Sequence, residues 1–431
     1  MTFHINKYFR LLIVLICVFV FLRDSYSYDN LVTERKLKNG ITLMHKYIDT
    51  QPLVTIWVCF KVGAKDDPID KAGLTYLTVN TLAKGTSNGS AKKIFFDIDS
   101  LGGYFSSGCN MDYSSISMML PSDKYEKGAD IMSDIMLNPV FSNYEYLKER
   151  EMAFMESVSN NEHNDKYAYS LLLSTIYPKE HPYSHFAIGT EQTLENITRE
   201  DLINWYKKYF GASSIFIVVV GKVPLKKALK VANKNFGGIK AGEIMVTKAE
   251  ISSLNTKKDL QFRNKFKQAS MILGWPIPKT NTKDMLCMDF IRCYLSTYKL
   301  MEELREKLGL CYMADSVYVS GVLSGIFFVY TELNESKLRT AKAKITDIIE
   351  ELKTKEIEPQ RFNDTKKYLK GNALIFSQTN NEIAGIIGYS KMFNIENMRQ
   401  EADEITSTDV METAKKYFTD NNVSIQILPE K

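Results

Sequence analysis

The 431-residue sequence predicts an α+β protein built from two tandem homologous units that face each other as a clamshell. Three observations support this fold class: an internal repeat, the same order of strands and helices in both halves, and a polar segment between the halves. Each unit is expected to be an α/β sandwich in which helices pack on a mainly antiparallel sheet.

The internal repeat relates residues 197–210 (ITREDLINWYKKYF) to residues 405–418 (ITSTDVMETAKKYF). Seven of the 14 positions are identical, without a gap. Each copy opens with a threonine followed three residues later by an aspartate, which is a capping-box-like helix start. An extended apolar segment follows each copy, at 213–221 and 422–428. The repeat therefore predicts one helix-to-strand unit that occurs twice.

The first unit alternates β-rich runs with segments of helical periodicity. Strands are predicted at 41–48 and 53–63, with a strand pair across 103–120. Helices are predicted at 70–83, 91–101, 124–136 and 143–161. Because the strands form hairpins as well as being separated by helices, the pattern favours an antiparallel sheet covered by helices on one face.

The second unit repeats this order. A β-rich run at 269–278 precedes a helical stretch at about 284–307, and a strand pair follows at 311–320 and 324–333. Further helices are predicted near 335–354 and 359–376. Residues 241–258 are polar and lack helical periodicity, which is typical of a linker. The predicted domains are therefore an N-terminal unit at 28–240 and a C-terminal unit at 259–431.

The N-terminus has the pattern of a secretory signal at residues 1–27. Lys7 and Arg10 precede an apolar run of 12 residues at 11–22, and the small residues Ser25 and Ser27 precede the expected cut. The run is shorter than the roughly 18 residues of a membrane-spanning helix, although an uncleaved anchor remains an alternative. The segment predicts export across the inner membrane, to the periplasm, with no membrane association after the signal is removed.

The net charge of the chain argues against binding to nucleic acid or to an anionic membrane surface. The whole chain carries +4, and removal of the signal takes away three positive charges and one negative charge, leaving +2. A charge so near zero gives no strong field for polyanions. Five cysteines remain after the cut, without C-x-x-C spacing, and isolated buried thiols are favoured. Cys59–Cys109 is the candidate if one disulfide forms.

Seven sequence segments, taken in their order along the chain, resemble those of a known family. They are LKNGITLMHKY (37–47), the GL…KGT frame (73–86), GGYFSSGCNMDYSSISMMLP (102–121), NPVF (138–141), EREMAFMES (149–157), HPYSHFAIGT (181–190) and LREKLGLCY (304–312). In this order and spacing the chain resembles the pitrilysin/insulinase family of zinc peptidases, in the branch of mitochondrial processing peptidase and its bacterial relatives.

The resemblance implies that an inverted zinc motif, H-x-x-E-H, should lie inside the GL…KGT frame. Here Tyr76 and Asn80 stand at the two histidine positions, and Val79 stands at the position of the general base. Glu156 stands at the position of the downstream ligand. None of the first three offers an imidazole or carboxylate, so the chain is predicted to bind no zinc of its own. His181 and His185 are four residues apart in an expected loop, and loop packing is favoured over a metal site there.

The resemblance also implies an arginine and a tyrosine that hold the substrate carbonyl, and the matching residues Arg305 and Tyr312 are both present. Attack on a peptide bond creates negative charge on the carbonyl oxygen, to which both side chains can donate hydrogen bonds. Gly309 is suited to a left-handed cap between them. Taken without the resemblance, Arg305 could belong to a solvated helix face and Tyr312 to the core.

These residues predict a zinc-free subunit of a heterodimeric metallopeptidase, not an enzyme alone. It would bind an unfolded or extended peptide and supply Arg305 and Tyr312 to a homologous subunit that bears the zinc. Two alternatives remain: a non-enzymatic peptide-binding or scaffold protein of the same fold, and a hydrolase with another nucleophile, which no Cys/His pattern supports. The strand after Gly102 and Gly103 could offer an edge to an extended peptide, or be an ordinary sheet strand.

Overall fold

The computed structural model describes residues 32–245, 247, 256–395 and 404–430. The predicted signal at 1–27 lies outside the described residues, as do residues 246 and 248–255 of the predicted linker. None of the helices in the described ranges is both long and apolar enough to cross a membrane.

Within these residues the first unit holds a six-stranded sheet in the order β1-β2-β8-β3-β7-β6. Strands β2 and β8 run parallel, whereas β1–β2, β8–β3, β3–β7 and β7–β6 run antiparallel. A small hairpin, β4–β5, stands apart from this sheet. The strands are β1 (Thr33–Lys36), β2 (Thr42–Tyr47), β3 (Leu53–Phe60), β4 (Gly85–Thr86), β5 (Gly89–Ser90), β6 (Tyr104–Cys109), β7 (Ser114–Pro121) and β8 (Ile215–Gly221).

The described part of the second unit holds a five-stranded sheet in the order β11-β12-β10-β13-β9. Strands β13 and β9 run parallel, and the pairs β11–β12, β12–β10 and β10–β13 run antiparallel. The predicted mainly antiparallel sheets are therefore confirmed in both units. The strands are β9 (Lys258–Asn264), β10 (Ala269–Pro278), β11 (Cys311–Val319), β12 (Ser324–Leu333) and β13 (Val423–Pro429).

The helices predicted from the sequence agree with the observed ones to within a few residues, and the structure adds further helices that were not predicted. In the first unit they are α1 (Leu74–Leu82), α2 (Ala91–Ser100), α3 (Tyr125–Leu137), α4 (Asn143–Glu162), α5 (Asn164–Ile176), α6 (Glu191–Asn196), α7 (Arg199–Tyr209) and α8 (Leu225–Phe236). In the second unit they are α9 (Thr282–Tyr294), α10 (Leu338–Thr354), α11 (Pro359–Ile375), α12 (Asn380–Phe393) and α13 (Ser407–Tyr417). The repeat corresponds to α7 and α13, and both begin with the predicted capping box, Thr198 with Asp201 and Thr406 with Asp409.

The helical stretch predicted at 284–307 is present but is not regular beyond Tyr294. Residues 295–299 and 301–307 continue α9 in the wider turns of a π-helix. Such turns are uncommon and are found frequently at functional sites. Arg305 lies in the second of these segments, which we call the π-helical segment.

The two units exchange one helix each, which corrects the expectation of helices on one sheet face. Helix α12 of the second unit packs on the first sheet, where Ile383 and Ile387 contact Trp57, Phe216 and Val218. The physical reason lies in β3 and β8, whose residues are almost all buried, so both sheet faces must be covered.

Helix α5 of the first unit makes the reciprocal contact. It packs on the second sheet, with Leu172 and Ile176 against Ile272, Phe328 and Ile425. Each unit therefore completes the core of the other.

In each contact between an exchanged helix and a sheet, a glycine on one side makes room for a large side chain on the other. On α12, a Cβ added at Gly388 would lie 2.0 Å from Cζ3 of Trp57, so only glycine admits this ring. On the second sheet, a Cβ at Gly274 would lie 2.7 Å from Cδ1 of Leu172. The helix carries the small residue in one contact and the large residue in the other.

The five cysteines within the described ranges are free thiols, as the spacing favoured. The alternative Cys59–Cys109 bridge is wrong. Cys59 pairs with Ser115 on one side of β7, and Cys109 pairs with Ser114 on its other side. Two strand spacings separate their Cα atoms by about 9–10 Å, beyond the roughly 7 Å that a disulfide can span.

Candidate functional site

The GL…KGT frame begins helix α1, and a buried carboxylate caps that beginning. Gly73 has φ +101°, and a Cβ there would lie 2.4 Å from the carbonyl oxygen of Ile188. Asp67 accepts hydrogen bonds from the backbone N–H of Gly73 at 2.9 Å and of Thr75 at 3.0 Å. Burial raises the pKa of Asp67 to about 7. The glycine and the cap fix where α1 starts and so which residues of the helix face α4.

The structure brings together the motif positions identified in the sequence. Tyr76 on α1 donates a hydrogen bond from its hydroxyl to Oε2 of Glu156 on α4, at 3.0 Å. Asn80, one turn further on, accepts a hydrogen bond at its Oδ1 from the hydroxyl of Ser107, at 2.8 Å. Val79 is fully buried in the first core. The frame is therefore retained in space as well as in sequence.

The residues in this frame do not fit a zinc ion. Burial and the neighbouring Glu156 carboxylate raise the pKa of Tyr76, so the phenol keeps its proton and donates it in a hydrogen bond to Glu156. Asn80 offers an amide, and Val79 offers no donor atom, whereas zinc is held by thiolate, imidazole and carboxylate. Among residues that the structure describes, no group of three or more His, Cys, Asp or Glu could hold a metal.

His181 and His185 pack in their loop. The Nδ1 of His181 accepts a hydrogen bond from the backbone N–H of Tyr183 at 3.1 Å, and its ring stacks on Tyr177 with centroids 4.4 Å apart. The Nδ1 of His185 lies 2.8 Å from the carbonyl oxygen of Phe186. Burial lowers the pKa of both histidines. Both rings are engaged in local packing, as the sequence favoured.

Arg305 and Tyr312 contact each other at an open surface. The backbone N–H of Gly309, at φ +55°, donates to the carbonyl oxygen of Arg305, and the chain then turns into β11. Tyr312 is the extra residue of a bulge, because the register with β12 shifts between Cys311 and Met313. The guanidinium carbon lies 4.9 Å from the centre of the tyrosine ring, and Tyr312 is 82% exposed. Both donors can therefore reach a second molecule.

Glu303 anchors the segment that carries Arg305, and the sequence did not single it out. It is 9% exposed, and its carboxylate contacts the ammonium groups of Lys344 on α10 at 2.7 Å and of Lys307 at 2.9 Å. Hydrogen bonds from Lys344 and Lys307 lower the pKa of Glu303 to about 2. In the run MEELREK every charged residue suggests a solvated helix face, so no sequence signal separates Glu303 from its neighbours.

A partly enclosed cavity of about 340 Å³ lies between the two units. Tyr76 and Glu156 form part of its wall on the first unit, and Val317, Val319 and Ser320 of the second unit lie opposite. Neither Arg305 nor Tyr312 lines it. Sequence reasoning missed this cavity because its walls come from segments more than 300 residues apart, which no local pattern connects.

Hydrogen bonds join the two units across the floor of the cavity. The buried carboxylate of Asp112, in the β6–β7 turn, accepts from the hydroxyl of Tyr183 and from the backbone N–H of Val322, the latter at 3.2 Å. The hydroxyls of Tyr177 and Ser324 lie 2.7 Å apart. Burial raises the pKa of Asp112. These contacts tie the β6–β7 turn to the β11–β12 turn.

Comparisons with known proteins point to one family. Residues 43–188 match a family model described as insulinase (peptidase family M16), and residues 196–369 match one described as the peptidase M16 inactive domain. An uncharacterized zinc protease of Rickettsia felis is 24% identical over 406 residues, which cover 91% of this chain and 97% of that protein.

Solved structures share the fold over nearly the whole chain. A protease from Helicobacter pylori superposes with a TM-score of 0.86 at 19% identity, covering 92% of this chain and 99% of that one. A peptidase M16 inactive domain from Pseudomonas fluorescens superposes with a TM-score of 0.84 at 20% identity, covering 93% of this chain and 98% of that one. The resemblance seen in the sequence is confirmed.

Proposed function

Because this chain belongs to the M16 (insulinase/pitrilysin) peptidase family, we propose that it is the zinc-free subunit of a heterodimeric metallopeptidase. The observation that carries the proposal is a contrast within the chain. The motif positions Tyr76, Val79 and Asn80 do not fit zinc, whereas Arg305 and Tyr312 are retained, in contact and exposed.

The exposed pair has a chemical use only if another molecule supplies the nucleophile. Attack on a peptide carbonyl places negative charge on its oxygen, and donors already in position stabilise that charge. Arg305 contributes the N–H donors of a guanidinium group, and Tyr312 contributes a hydroxyl donor. A homologous subunit that bears the zinc and its water would be the partner, and an extended peptide would be the substrate. This chain would bind no zinc.

Export to the periplasm is part of the proposal. It rests on the basic residues, the apolar run and the small residues of segment 1–27. Mass measurement of the mature protein from the periplasmic fraction tests it, since cleavage after Ser27 would leave a chain that begins at Tyr28. A full-length chain in the membrane fraction would support the uncleaved anchor instead.

The test of function is reconstitution with a zinc-bearing M16 subunit encoded by the same genome. We expect no peptide hydrolysis by the purified chain alone and hydrolysis by the pair. Arg305→Ala or Tyr312→Phe should each lower kcat of the pair by about a hundredfold, because each removes one donor to the developing oxyanion.

Arg339→Ala is the matched control, since Arg339 is an exposed arginine at the start of α10. It should leave kcat unchanged. Full activity in both Arg305→Ala and Tyr312→Phe would reject the assigned roles. Hydrolysis by the chain alone in chelator would favour a hydrolase of another type.

A non-enzymatic peptide-binding protein is the second candidate, and one observation favours it. Strand β6 is the end strand of the first sheet, so its outer backbone groups are open to an extended peptide. Recovery of peptides with the native protein, but of no zinc-bearing relative, would support this candidate over the first.

A further inference from the structure

The π-helical segment turns Glu303 and Arg305 in different directions. Leu300 and Leu304 are fully buried in the second core, and Glu303, beside Leu304, is buried on the same inner side. Arg305 follows Glu303 by two residues and is exposed. Side chains two positions apart on a helix do not share a face. The inward direction of Glu303 therefore goes together with the outward direction of Arg305.

Ion pairs join this segment to helix α10 at two points. Oε2 of Glu303 lies 2.7 Å from Nζ of Lys344 on α10. Oε1 of Glu303 lies 2.9 Å from Nζ of Lys307 and 4.0 Å from Nζ of Lys299. Lys299 in turn contacts the carboxylate of Glu351 on α10, at 2.9 Å. The buried carboxylate of Glu303 is the group at which these contacts meet.

The backbone of the segment determines where the guanidinium of Arg305 lies. The guanidinium rests on the ring of Tyr312, which is itself 82% exposed, and cation–π contacts at exposed sites are weak. The backbone is better defined. The N–H of Gly309 donates to the carbonyl oxygen of Arg305 at 3.1 Å, and the N–H of Leu310 donates to that of Leu304 at 2.8 Å.

We propose that Glu303 is a positioning residue for Arg305. Its contact with Lys344 fixes the rotation of the π-helical segment about its axis, so that the guanidinium is presented to a peptide carbonyl beside the hydroxyl of Tyr312. A buried ion pair often adds little net stability, and its better use is to specify one arrangement of the elements that it joins. The effect on peptide hydrolysis rests on the proposed function, whereas the fixed position of the segment does not.

Kinetics of the reconstituted pair test the effect on the reaction. Glu303→Gln should lower kcat about tenfold with KM unchanged, because a donor that serves the transition state is displaced. Lys344→Met breaks the same contact from the α10 side and should reproduce the loss. Glu302→Gln is the matched control, since the Glu302 carboxylate contacts Lys307 and Arg361 of α11. It should leave kcat and KM unchanged.

A double-mutant cycle separates positioning of Arg305 from a general loss of structure. If Glu303 acts through Arg305, Glu303→Gln should lower kcat no further once Arg305 is replaced by alanine. It should still lower kcat in the Tyr312→Phe background, where the guanidinium remains. Additive losses in Glu303→Gln/Arg305→Ala would overturn the positioning role, because a damaged fold would lower kcat in both backgrounds. An unchanged kcat in Glu303→Gln would also overturn it.

Hydrogen exchange in the purified full chain, without a partner subunit, gives a result that does not depend on hydrolysis. The backbone amides of Gly309 and Leu310, which close the segment, should exchange about tenfold faster in Glu303→Gln and at the wild-type rate in Glu302→Gln. Unchanged exchange in Glu303→Gln would overturn the inference. Faster exchange combined with an inactive wild-type pair would support the fixed segment and reject the proposed subunit role, so the two failures are distinguishable.

Discussion

Tyr76 shows that helices α1 and α4 can stay in contact although the residues of the motif do not fit zinc. The phenol occupies the position of a metal ligand and contacts the position of another, Glu156, through one hydrogen bond at 3.0 Å. That hydrogen bond links α1 to α4, as a shared metal would. The helix pair therefore keeps its arrangement with a neutral donor and one carboxylate.

Restoring two ligands tests whether these positions still converge. In the double variant Tyr76→His/Asn80→His, two imidazoles one turn apart would face Glu156, the donor set of a structural or catalytic zinc site. We expect about one bound zinc per chain, measured by metal analysis after dialysis.

Val79 provides the internal control for this variant. With valine still at the general-base position, the zinc-loaded double variant should hydrolyse no peptide. The wild-type chain, treated identically, should hold no stoichiometric zinc. A double variant that also binds none would contradict the convergence of Tyr76, Asn80 and Glu156.

His45 makes folding stability sensitive to acid. Its Nε2 lies 2.7 Å from the carbonyl oxygen of Val223, and burial lowers its pKa below the usual 6.5. The unfolded chain therefore takes up a proton near pH 6.5 that the folded chain takes up only at lower pH. The contribution of His45 to the free energy of unfolding should fall as pH decreases below 6.5, by up to about 1.4 kcal/mol for each unit by which its pKa is lowered.

The variant His45→Gln keeps an N–H donor and removes the titration. Compared by urea unfolding between about pH 7.5 and pH 5, it should lose less stability than the wild type. His163→Gln is the control at an exposed histidine and should leave the wild-type dependence unchanged. Equal losses in His45→Gln and the wild type would show that His45 does not contribute.

At the scale of elements, the exchanged helices α5 and α12 determine how the units fit. Each covers the sheet face that its own unit cannot cover, and each contact pairs a glycine with a large side chain. Interiors are packed densely enough that such a pair has little room for change. The glycine at position 388 is therefore a packing requirement, although glycine is a poor residue inside a helix.

Gly388→Ala should destabilise the protein despite the better helix propensity of alanine. The added Cβ would meet the Trp57 ring at 2.0 Å, and overpacking of this kind costs about 1–3 kcal/mol. Gly371→Ala on α11 is the matched control, because a Cβ there has nothing within 4 Å. It should raise stability by up to about 1 kcal/mol. Thermal unfolding measures both, and a neutral Gly388→Ala would reject the packing requirement.

Local patterns predicted the elements well and their assembly poorly. The capping threonines 198 and 406, the hairpin of β11 and β12 and the length of α4 all follow from residues close together in the chain. The coverage of the first sheet by α12 does not, because it joins residues more than 300 positions apart. The run IFIVVVG did contain the relevant clue, since a strand apolar on both faces needs two covers.

Likewise, some residues of the candidate site could be predicted from the sequence and others could not. The positions of Tyr76, Asn80 and Glu156 came from a resemblance, and the structure places Tyr76 in contact with Glu156 and Asn80 one helical turn further along α1. Glu303 and the cavity had no signal in the linear sequence. Burial of one carboxylate in a run with four other charged residues, and a space walled by both units, are tertiary properties. Charge pattern alone made Glu303 resemble the exposed residues beside it.

At the scale of the whole molecule, the two units form one interlocked body. Exchange of α5 and α12, together with the hydrogen bonds of Asp112 and Tyr177, makes each unit cover one sheet face of the other. Any opening motion that the proposed function needs should therefore occur between this chain and its partner, and not between the two units.

The cooperativity of unfolding tests whether the two units depend on each other for stability. The full chain should unfold in one transition, detected alike by far-ultraviolet and near-ultraviolet circular dichroism. Residues 32–240 expressed alone should lack a cooperative transition and bind a dye specific for apolar surface, since Trp57, Phe216 and Val218 would lose their cover. Two separate transitions in the full chain, or a folded fragment, would contradict the interlocked arrangement.

The helix exchange also determines how long the first sheet stays uncovered while the chain is synthesised. Strand β8 completes the first sheet at Gly221, but its cover α12 begins only at Asn380. At about 5–20 residues per second, the ribosome needs roughly 8–30 seconds to add the intervening residues. Throughout that interval one apolar face of the first sheet stays uncovered. We therefore expect the nascent chain to bind chaperones.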